Sequence, residues 1–557
     1  MTTEAAVFEN SGDAGERINS PMRARARAAW DWTEQLLIRV GDWLNPILVK
    51  ETRQALKSSQ FAITFVLVLV ACWIVTIGVV AYIGPRIFYS ADGGTLLSWY
   101  YTILALPLMV VVPLAAFRSL TAEREDNTYD LLSITALKPR QIISGKLGSS
   151  VAQMAVYFSA ITPCLAFTYL LRGVDLPTIA VLLAYTFFWS LGLSMVGILL
   201  ATLTPQRFVQ VFVLVAFVAA LLLMFYLATM MGLWAAFAGR AAMWGVGKEF
   251  RVFTAVLATF YATFFALAYF AAAGMITFTS ENRSTPLRAC MIVQQAAFIG
   301  WMAYSWISYS YDEGAVFVTM MIAAGYWYIM GTLLTAERPG MSQRVRRRLP
   351  QSFFGRIFFS WLNPGPASGY MFVIANVSSI AVLCLLAAIF ANFRTTTGSG
   401  WPHPQELNYL VVIGWGYIVA YLGIGLLIVS GLRRIATVTM LASILINLLL
   451  LLAGFGIPYA IKAMSITLRE ADYSFIQITD PFFSMAHVAY GSLTSEMNVI
   501  ALVVVGVAVC VLLLNMPAII RELRVVRESA PVRVLQDEAE LNPPPEPLPQ
   551  NPWDEPA

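Results

Sequence analysis

The sequence predicts an all-α fold, a polytopic integral membrane bundle of about twelve transmembrane helices with both termini in the cytoplasm. The first observation is composition, since 59% of the 557 residues are hydrophobic and only 12% are charged. A soluble domain needs a polar surface over its core and cannot have this balance. The second observation is that the apolar residues form blocks of about 20 residues, the length of a helix that spans a bilayer. The third is the position of the basic residues between these blocks.

Twelve apolar segments are long enough to span a bilayer as helices. None of them, as bounded here, contains Asp, Glu, Lys, Arg or His. Each such residue costs about 2.5–3.5 kcal/mol at the centre of a span and is retained mainly for proton or ion pathways. Their absence argues against a proton-coupled transporter, an ion pump or an intramembrane hydrolase, and it predicts an energy source outside the bilayer. The segments are residues 61–83, 96–117, 147–171, 177–203, 208–233, 252–279, 289–311, 315–334, 370–392, 408–430, 436–459 and 498–520.

The basic residues test this number of spans, because Lys and Arg accumulate in cytoplasmic loops. With the N-terminus inside, 28 of the 36 basic residues fall in cytoplasmic segments and eight in outer loops. Twelve spans then place both termini in the cytoplasm. The predicted regions are a cytoplasmic arm with an interfacial helix (1–60), two six-helix membrane units (61–280 and 281–520) and a disordered, proline-rich and acidic tail (521–557).

The residues just before the first span predict a helix that lies in the membrane interface. Pro46 suits the first position of a helix, and Leu48, Thr52, Ala55 and Leu56 would share one face. Basic residues lie elsewhere around this helix, as in other interfacial helices. The alternative is a basic flank that only follows the charge rule. The polar and helix-starting residues of interest are Asn45, Pro46, Lys50, Glu51 and Arg53.

The segment between the second and third spans predicts a cytoplasmic helix with a mostly apolar face. Acidic residues open it, as the helix dipole favours, and Pro139 interrupts it before Gly145 and Lys146 lead into the third span. Such a face outside the bilayer needs a protein partner to cover it. Alternatively, the segment is a solvated connection. The face consists of residues at i, i+3, i+4 and i+7, which are Thr128, Leu131, Leu132 and Thr135.

Both segments resemble motifs of the type-2 ABC export permeases. The first family motif, NP-x-x-x-[KR]-E-x-R, is matched by the five residues named above from Asn45 to Arg53. The second family motif lies between spans two and three, and the chain departs from it at Asn127, Ala136 and Gln141, where the family prefers Gly, Pro and Glu. The residues that match this second motif are Glu123, Arg124, Glu125, Thr128, Asp130, Leu131, Leu132, Thr135, Leu137, Pro139, Ile142, Ile143, Gly145 and Lys146.

The resemblance implies a permease in a bacterial inner membrane that couples ATP hydrolysis by a separate ABC ATPase subunit to export. The chain has no phosphate-binding loop of its own, because its nearest approach, Gly245 to Glu249, ends in glutamate. We therefore expect no catalytic residue, cofactor or metal. The implied partners are the ATPase, membrane lipids and a second permease or second copy of the chain, but no nucleic acid. The implied coupling residues are Glu123, Arg124, Glu125, Thr128, Leu131, Leu132, Thr135, Gly145 and Lys146.

Two other functions stay open. Twelve spans are also common among secondary transporters, which would need a buried charge or a broken helix at the midplane of the bilayer. A membrane enzyme at the outer face would use residues without any metal or nucleophile spacing. Of these, Asp480 is better explained as the N-cap of a helix that begins at Pro481. The remaining candidates are His403, Glu470, Asp472 and His487.

The second six-helix unit is either a duplicate that has lost the coupling motif or an added membrane domain. The tetrapeptide that ends at Pro46, Trp-Leu-Asn-Pro, recurs at residues 361–364, but no second Glu-Arg-Glu follows. The five cysteines lie in or next to apolar blocks, which predicts core packing rather than disulfides or metal binding.

Overall fold

The computed structural model describes residues 45–85, 93–125, 138–171, 173–203, 207–237, 247–278, 280–308, 313–338, 340, 342, 344–345, 361–392, 404–465, 473–490, 494–527 and 532–541. These residues are almost entirely helical, and no strand occurs among them, so the all-α prediction is confirmed. The chain divides into two compact units, Met1–Ile276 and Thr277–Ala557. This boundary lies close to the predicted division at residue 280.

Unit 1 consists of a short helix, α1 (Pro46–Lys57), followed by six long helical segments. The hydroxyl of Ser58 accepts the N–H of Phe61 at 3.2 Å and so caps the first long helix. The long helices are α2 (Ser59–Ile83), α3 (Gly93–Leu106), α4 (Val112–Glu125), α5 (Pro139–Leu170), α6 (Leu176–Leu203), α7 (Arg207–Phe237) and α8 (Lys248–Ile276), of which α3 and α4 form one segment.

A π-helical turn, Pro107–Val111, joins α3 to α4. Pro107 has no N–H to donate to the preceding turn, and its ring clashes with the regular α-helical path, which favours a wider turn here. The hydroxyl of Ser190 on α6 donates a hydrogen bond to the carbonyl of Leu108 within this turn. The irregular turn is thereby held against a neighbouring helix in the buried part of the unit.

Unit 2 also contains six long helices. A 3₁₀ turn (Phe475–Thr479) and a short helix, α14 (Pro481–Ala489), lie before the last long one. A further short helix, α16 (Val532–Leu541), falls within the tail that composition predicts to be disordered. The long helices are α9 (Ser284–Ser308), α10 (Glu313–Thr335), α11 (Pro366–Asn392), α12 (Pro404–Leu432), α13 (Met440–Met464) and α15 (Thr494–Arg527).

Eleven helices of the described residues are long and apolar enough to cross a membrane, which indicates a multi-pass membrane protein. Each of the twelve predicted segments overlaps a long helix. The helix that is not among the eleven is α9, because Arg288, Gln294 and Gln295 lower its hydropathy. The number of spans and the side of the membrane on which the termini lie stay predictions.

The helices differ widely in how much of their apolar surface faces protein. Only 11% of the most apolar stretch of α2 is buried, whereas 72% of that of α12 is buried. Trp73 on α2 is 68% exposed. In a bilayer such surfaces contact acyl chains, so their exposure is the expected arrangement of a membrane protein.

Candidate functional site

The two sequence motifs meet where α1 packs against the beginning of α5. Asn45 stands just before α1, and its side-chain oxygen accepts the N–H of Ile47 at 3.1 Å, so Asn45 is an N-cap. Its side-chain amide donates to the carbonyl of Gln141 and lies 3.5 Å from the hydroxyl of Ser144, both on α5. One asparagine therefore begins α1 and attaches it to α5.

Gly145 permits the close approach of the two helices. A Cβ atom at this position would lie 2.7 Å from Cγ2 of Ile47 and 3.1 Å from the backbone nitrogen of Leu48. Gly148, one turn further along α5, accommodates Leu48 in the same way, since a Cβ there would lie 2.5 Å from Cδ1 of Leu48. These distances are shorter than van der Waals contact, so larger residues would push α1 away from α5.

Lys146 lies at the centre of a charge cluster formed by the buried or nearly buried Glu51, Glu123 and Lys146 and the exposed Lys50, called here the Lys146 cluster. Its Nζ atom is 3.2 Å from Oε1 of Glu51 and 3.0 Å from Oε2 of Glu123. The same atom donates to the carbonyl of Ser119 on α4 at 3.2 Å. The ammonium group thus donates hydrogen bonds to Glu51 and Ser119, and its contact with Glu123 is an ion pair. Lys146 therefore joins α1, α4 and α5 at a single atom.

The Lys146 cluster balances its charges. Lys50 Nζ lies 3.6 Å from Oε1 of Glu123, so two cations face two carboxylates. The side chain of Lys146 is 1% exposed, that of Glu51 8% and that of Glu123 13%. Burial raises the pKa of Glu51 above its ordinary value of 4.5 even though Lys146 acts in the opposite direction. Charges this deeply buried are retained in proteins only when they are paired, as they are here.

The predicted site residues fall into three groups. Asn45, Glu51, Glu123, Gly145 and Lys146 come together between α1, α4 and α5. Exposed or outward-facing residues form the second group, which contains Lys50, Arg53 and Glu125. The third group lies outside the described residues and consists of Thr128, Leu131, Leu132 and Thr135. Two further residues belong to none of these groups: Pro46 is the first residue of α1, and only the backbone of Arg124 is described.

Gln141 helps to cap the first turn of α5. Its side-chain oxygen accepts the N–H of Lys138 at 2.9 Å, in the first turn of α5. This is the reciprocal half of a capping box, which either glutamate or glutamine can form. Glu125, next to the cluster, accepts a hydrogen bond from the side-chain amide of Gln210 on α7 at 3.1 Å.

Sequence reasoning missed the glycine pair and a second charge cluster. The spacing of Gly145 and Gly148, which puts both on one face of a helix, was a readable signal for close packing of another helix against that face. The second group, Arg288, Glu337 and Glu522, is called here the Arg288 cluster. Arg288 was expected in a cytoplasmic loop, but it lies in α9, is fully buried and places its NH2 atom 2.9 Å from Oε2 of Glu337. Opposite charges at predicted span ends on one side of the membrane were the available signal.

The two described residues that were considered for an outer-face enzyme, Asp480 and His487, both have structural partners. Asp480 caps α14, accepting the N–H groups of Phe482 and Phe483 at 2.9 and 3.1 Å, as predicted. His487 lies 3.2 Å from a carboxylate oxygen of Glu496 and stacks on Tyr473. No group of three possible metal ligands occurs among the described side chains. His403, Glu470 and Asp472 lie outside the described ranges.

Comparison with known proteins gives no family model, no curated protein and no solved structure that matches this chain. The fold places the chain in the class of multi-pass helical membrane proteins. A function is therefore proposed below from the geometry of the site.

Proposed function

We propose that the chain is the membrane-spanning permease of an ATP-driven ABC exporter in a bacterial inner membrane, with a separate ATPase subunit. In this proposal twelve helices span the membrane and both termini lie in the cytoplasm. The segment from residue 126 to 138 contacts the ATPase, and the exported cargo passes through the helix bundle. The chain contributes no catalytic residue.

The observation that supports this proposal best is the joining of the two motifs by the Lys146 cluster. A partner that pushes on the segment between α4 and α5 would displace the two helices that flank it, and these carry Glu123 in the last turn of α4 and Lys146 as the eighth residue of α5. Because Lys146 also binds Glu51, the displacement reaches α1 and through it α2. The cluster thus provides a mechanical route from a cytoplasmic partner to three of the long helical segments.

The positions of the buried charges favour an external energy source over ion coupling. Lys146 is the eighth residue of α5, Arg288 the fifth of α9 and Glu406 the third of α12, so each lies near a helix end. The other buried charged residues of the described chain, Glu51 and Asp480, are outside the long helices. A secondary transporter would be expected to carry such a group near the midplane.

The first experiment tests whether an ATPase is the partner. The tagged chain is purified in several mild detergents, and we expect a Walker-motif ATPase to co-purify and to hydrolyse ATP in nanodiscs. Glu123→Ala and Leu132→Asp should each leave membrane insertion intact. Both should abolish the ATP- and vanadate-dependent change in amide hydrogen exchange of α1 and α5. Gln54→Ala, at an exposed position of α1 outside this segment, is the control. A wild-type response in both variants would contradict the proposed coupling.

The second experiment tests the orientation. Lys138→Cys, at the exposed start of α5, should react with an impermeant thiol reagent only in inverted vesicles. Tyr490→Cys, at an exposed position after α14, should react in intact cells. Reaction of residue 138 in intact cells would exclude a cytoplasmic coupling segment.

A further inference from the structure

Unit 2 contains a charge cluster built around a cation that is buried as completely as Lys146. The guanidinium of Arg288 on α9 donates to the carbonyls of Trp361 and Gly365 at 3.0 and 3.1 Å. It also donates to the hydroxyl of Ser368 at 3.1 Å and to Glu337, which follows α10, at 2.9 Å. Arg288 therefore joins the start of α9, the end of α10 and the start of α11.

Two carboxylates, Glu337 just after α10 and Glu522 on α15, cap the first turn of α11. Glu337 accepts the N–H of Gly365 at 2.8 Å. Glu522, near the end of α15, accepts the N–H groups of Ala367 and Ser368 at 3.2 and 2.8 Å. The N-terminal N–H groups of a helix need such acceptors, and the helix dipole strengthens the attraction to carboxylates. The cluster thus includes the last long helix of the unit as well.

In both units a buried cation joins helix ends near the first, second and third long segments, although the cation belongs to the third long segment in unit 1 and to the first long helix in unit 2. In unit 1 the Lys146 cluster joins α1, which precedes the first long helix, to the end of the second long segment and the start of the third. In unit 2 the Arg288 cluster joins the start of the first long helix, the end of the second and the start of the third. In both units the acidic partner follows or ends the second long segment, as Glu123 or Glu337.

The recurring Trp-Leu-Asn-Pro tetrapeptide does not explain this likeness. In unit 1 it ends at Pro46, before the first long helix, whereas in unit 2 it ends at Pro364, before the third. The likeness therefore consists of geometry and charge at corresponding helix ends and does not depend on the repeated tetrapeptide.

We propose that the Arg288 cluster is a force-transmitting joint, which makes unit 2 a second moving unit of the transporter rather than a passive membrane anchor. This inference rests on the proposed function. The joint obliges the ends of α9, α10, α11 and α15 to move together when any one of them is displaced, because a single guanidinium and two carboxylates hold all four.

The test separates transmission of movement from simple stabilisation. Breaking one side of a buried ion pair destabilises a protein, whereas replacing both partners by neutral residues of similar size is often tolerated. The variant is therefore the neutral pair Arg288→Met with Glu337→Gln, studied in the full complex with its ATPase in nanodiscs. The matched control is Glu281→Gln, which breaks the exposed pair between Glu281 and Arg344, 3.6 Å apart in the same unit.

The measurement is amide hydrogen exchange with and without ATP plus vanadate. In the wild type we expect nucleotide-dependent changes in α1 and α5 of unit 1 and in α9 and α11 of unit 2. In the neutral pair the changes in unit 1 should persist, while those in unit 2 should fall by at least about fivefold. If the neutral pair does not fold, Arg288→Lys replaces it, since one ammonium with three donors cannot serve the four acceptors of Arg288.

The outcomes distinguish the two proposals. A wild-type response of unit 2 in the folded variant, or a wild-type unit 2 that does not respond while unit 1 does, would overturn the joint and leave the permease proposal standing. If no ATPase co-purifies, or if neither unit responds to nucleotide, the permease proposal itself fails.

Discussion

Nζ of Lys146 lies 3.2 Å from Oε1 of Glu51, although the two residues are 95 positions apart in the chain and both side chains are buried. The pair attaches a short helix that precedes the first long helix to the start of the third long segment. A buried ion pair of this kind contributes little net stability but is costly to break, because the remaining charge stays in an apolar environment. The loss of stability when one partner of the pair is replaced therefore tests whether the pair is buried as described.

Removal of the central cation should be the most damaging change. Lys146→Met leaves Glu51 and Glu123 buried near each other, and we expect the free energy of unfolding in detergent to fall by about 3–5 kcal/mol. The double variant Lys146→Met with Glu51→Gln should recover part of this loss, because Glu123 keeps Lys50 at 3.6 Å. Lys138→Met, at an exposed position, should change stability by less than about 0.5 kcal/mol. Equal losses for residues 146 and 138 would contradict the cluster.

Enlargement of Gly145 should separate α1 from α5. In Gly145→Ala the new methyl group meets Ile47 Cγ2 at 2.7 Å, so one helix must shift, at a cost of about 1–3 kcal/mol. Gly78→Ala on α2 is the matched control, because a Cβ there meets nothing within 4 Å. Thermal unfolding in detergent should show a lower Tm for the first variant only. A lowered Tm for both would point to a general effect of glycine replacement.

Because the pKa of Glu51 is raised in the folded protein, we expect the stability of the protein to depend on pH in a specific way. The pKa of this carboxyl in the folded protein is raised above the ordinary value of 4.5, so between these two values the folded state binds more protons than the unfolded state. The contribution of Glu51 to stability is therefore greatest at low pH and falls as pH rises from 4.5 through the raised pKa. Relative to Glu51→Gln, the wild type should lose stability over this range and then level off. An opposite slope of this difference would show that Lys146 outweighs burial.

Two exposed residues of the motifs are expected to affect binding without affecting folding. Arg53 is exposed on α1, and Glu125 is exposed at the end of α4, where it accepts a hydrogen bond from the side-chain amide of Gln210 at 3.1 Å. Arg53→Glu and Glu125→Lys should each leave the Tm within about 2 °C of the wild type, as is usual for surface changes. Each should weaken co-purification of the ATPase at low salt, because rim charges at an interface act mainly on encounter. Gln54→Glu, also exposed on α1, serves as a neighbouring control.

Most of the fold could be predicted from the sequence, because long apolar runs identify helices without knowledge of their partners. The helix ends were less predictable. α5 begins at Pro139 rather than near residue 147, since its first turns contain Arg140, Gln141 and Lys146 and therefore have low hydropathy. Hydropathy identifies the apolar part of a helix. It does not identify polar turns at the helix end, even when their side chains are buried and paired within the protein.

The site could be predicted in its residues but not in its geometry. The sequence motifs contain Glu51, Glu123 and Lys146, but these residues belong to segments that are far apart in the chain. Nothing in their spacing indicates that the ammonium group of Lys146 contacts both carboxylates. Arg288 was assigned to a loop because a charge at a helix end cannot be distinguished by hydropathy from a charge beyond it. Such pairings depend on tertiary contacts between segments that are far apart in sequence.

The π-helical turn Pro107–Val111 determines the directions around the helix axis in which the side chains of α4 point. One extra residue in a helix turns the side chains beyond it by about 100° relative to an uninterrupted α-helix. The acidic end of α4 meets its cation only in this orientation. A homologue with one residue deleted from the turn would direct the carboxylate at position 123 away from Lys146, so an indel of a single residue deep in the bundle would disconnect a contact about twelve residues further along.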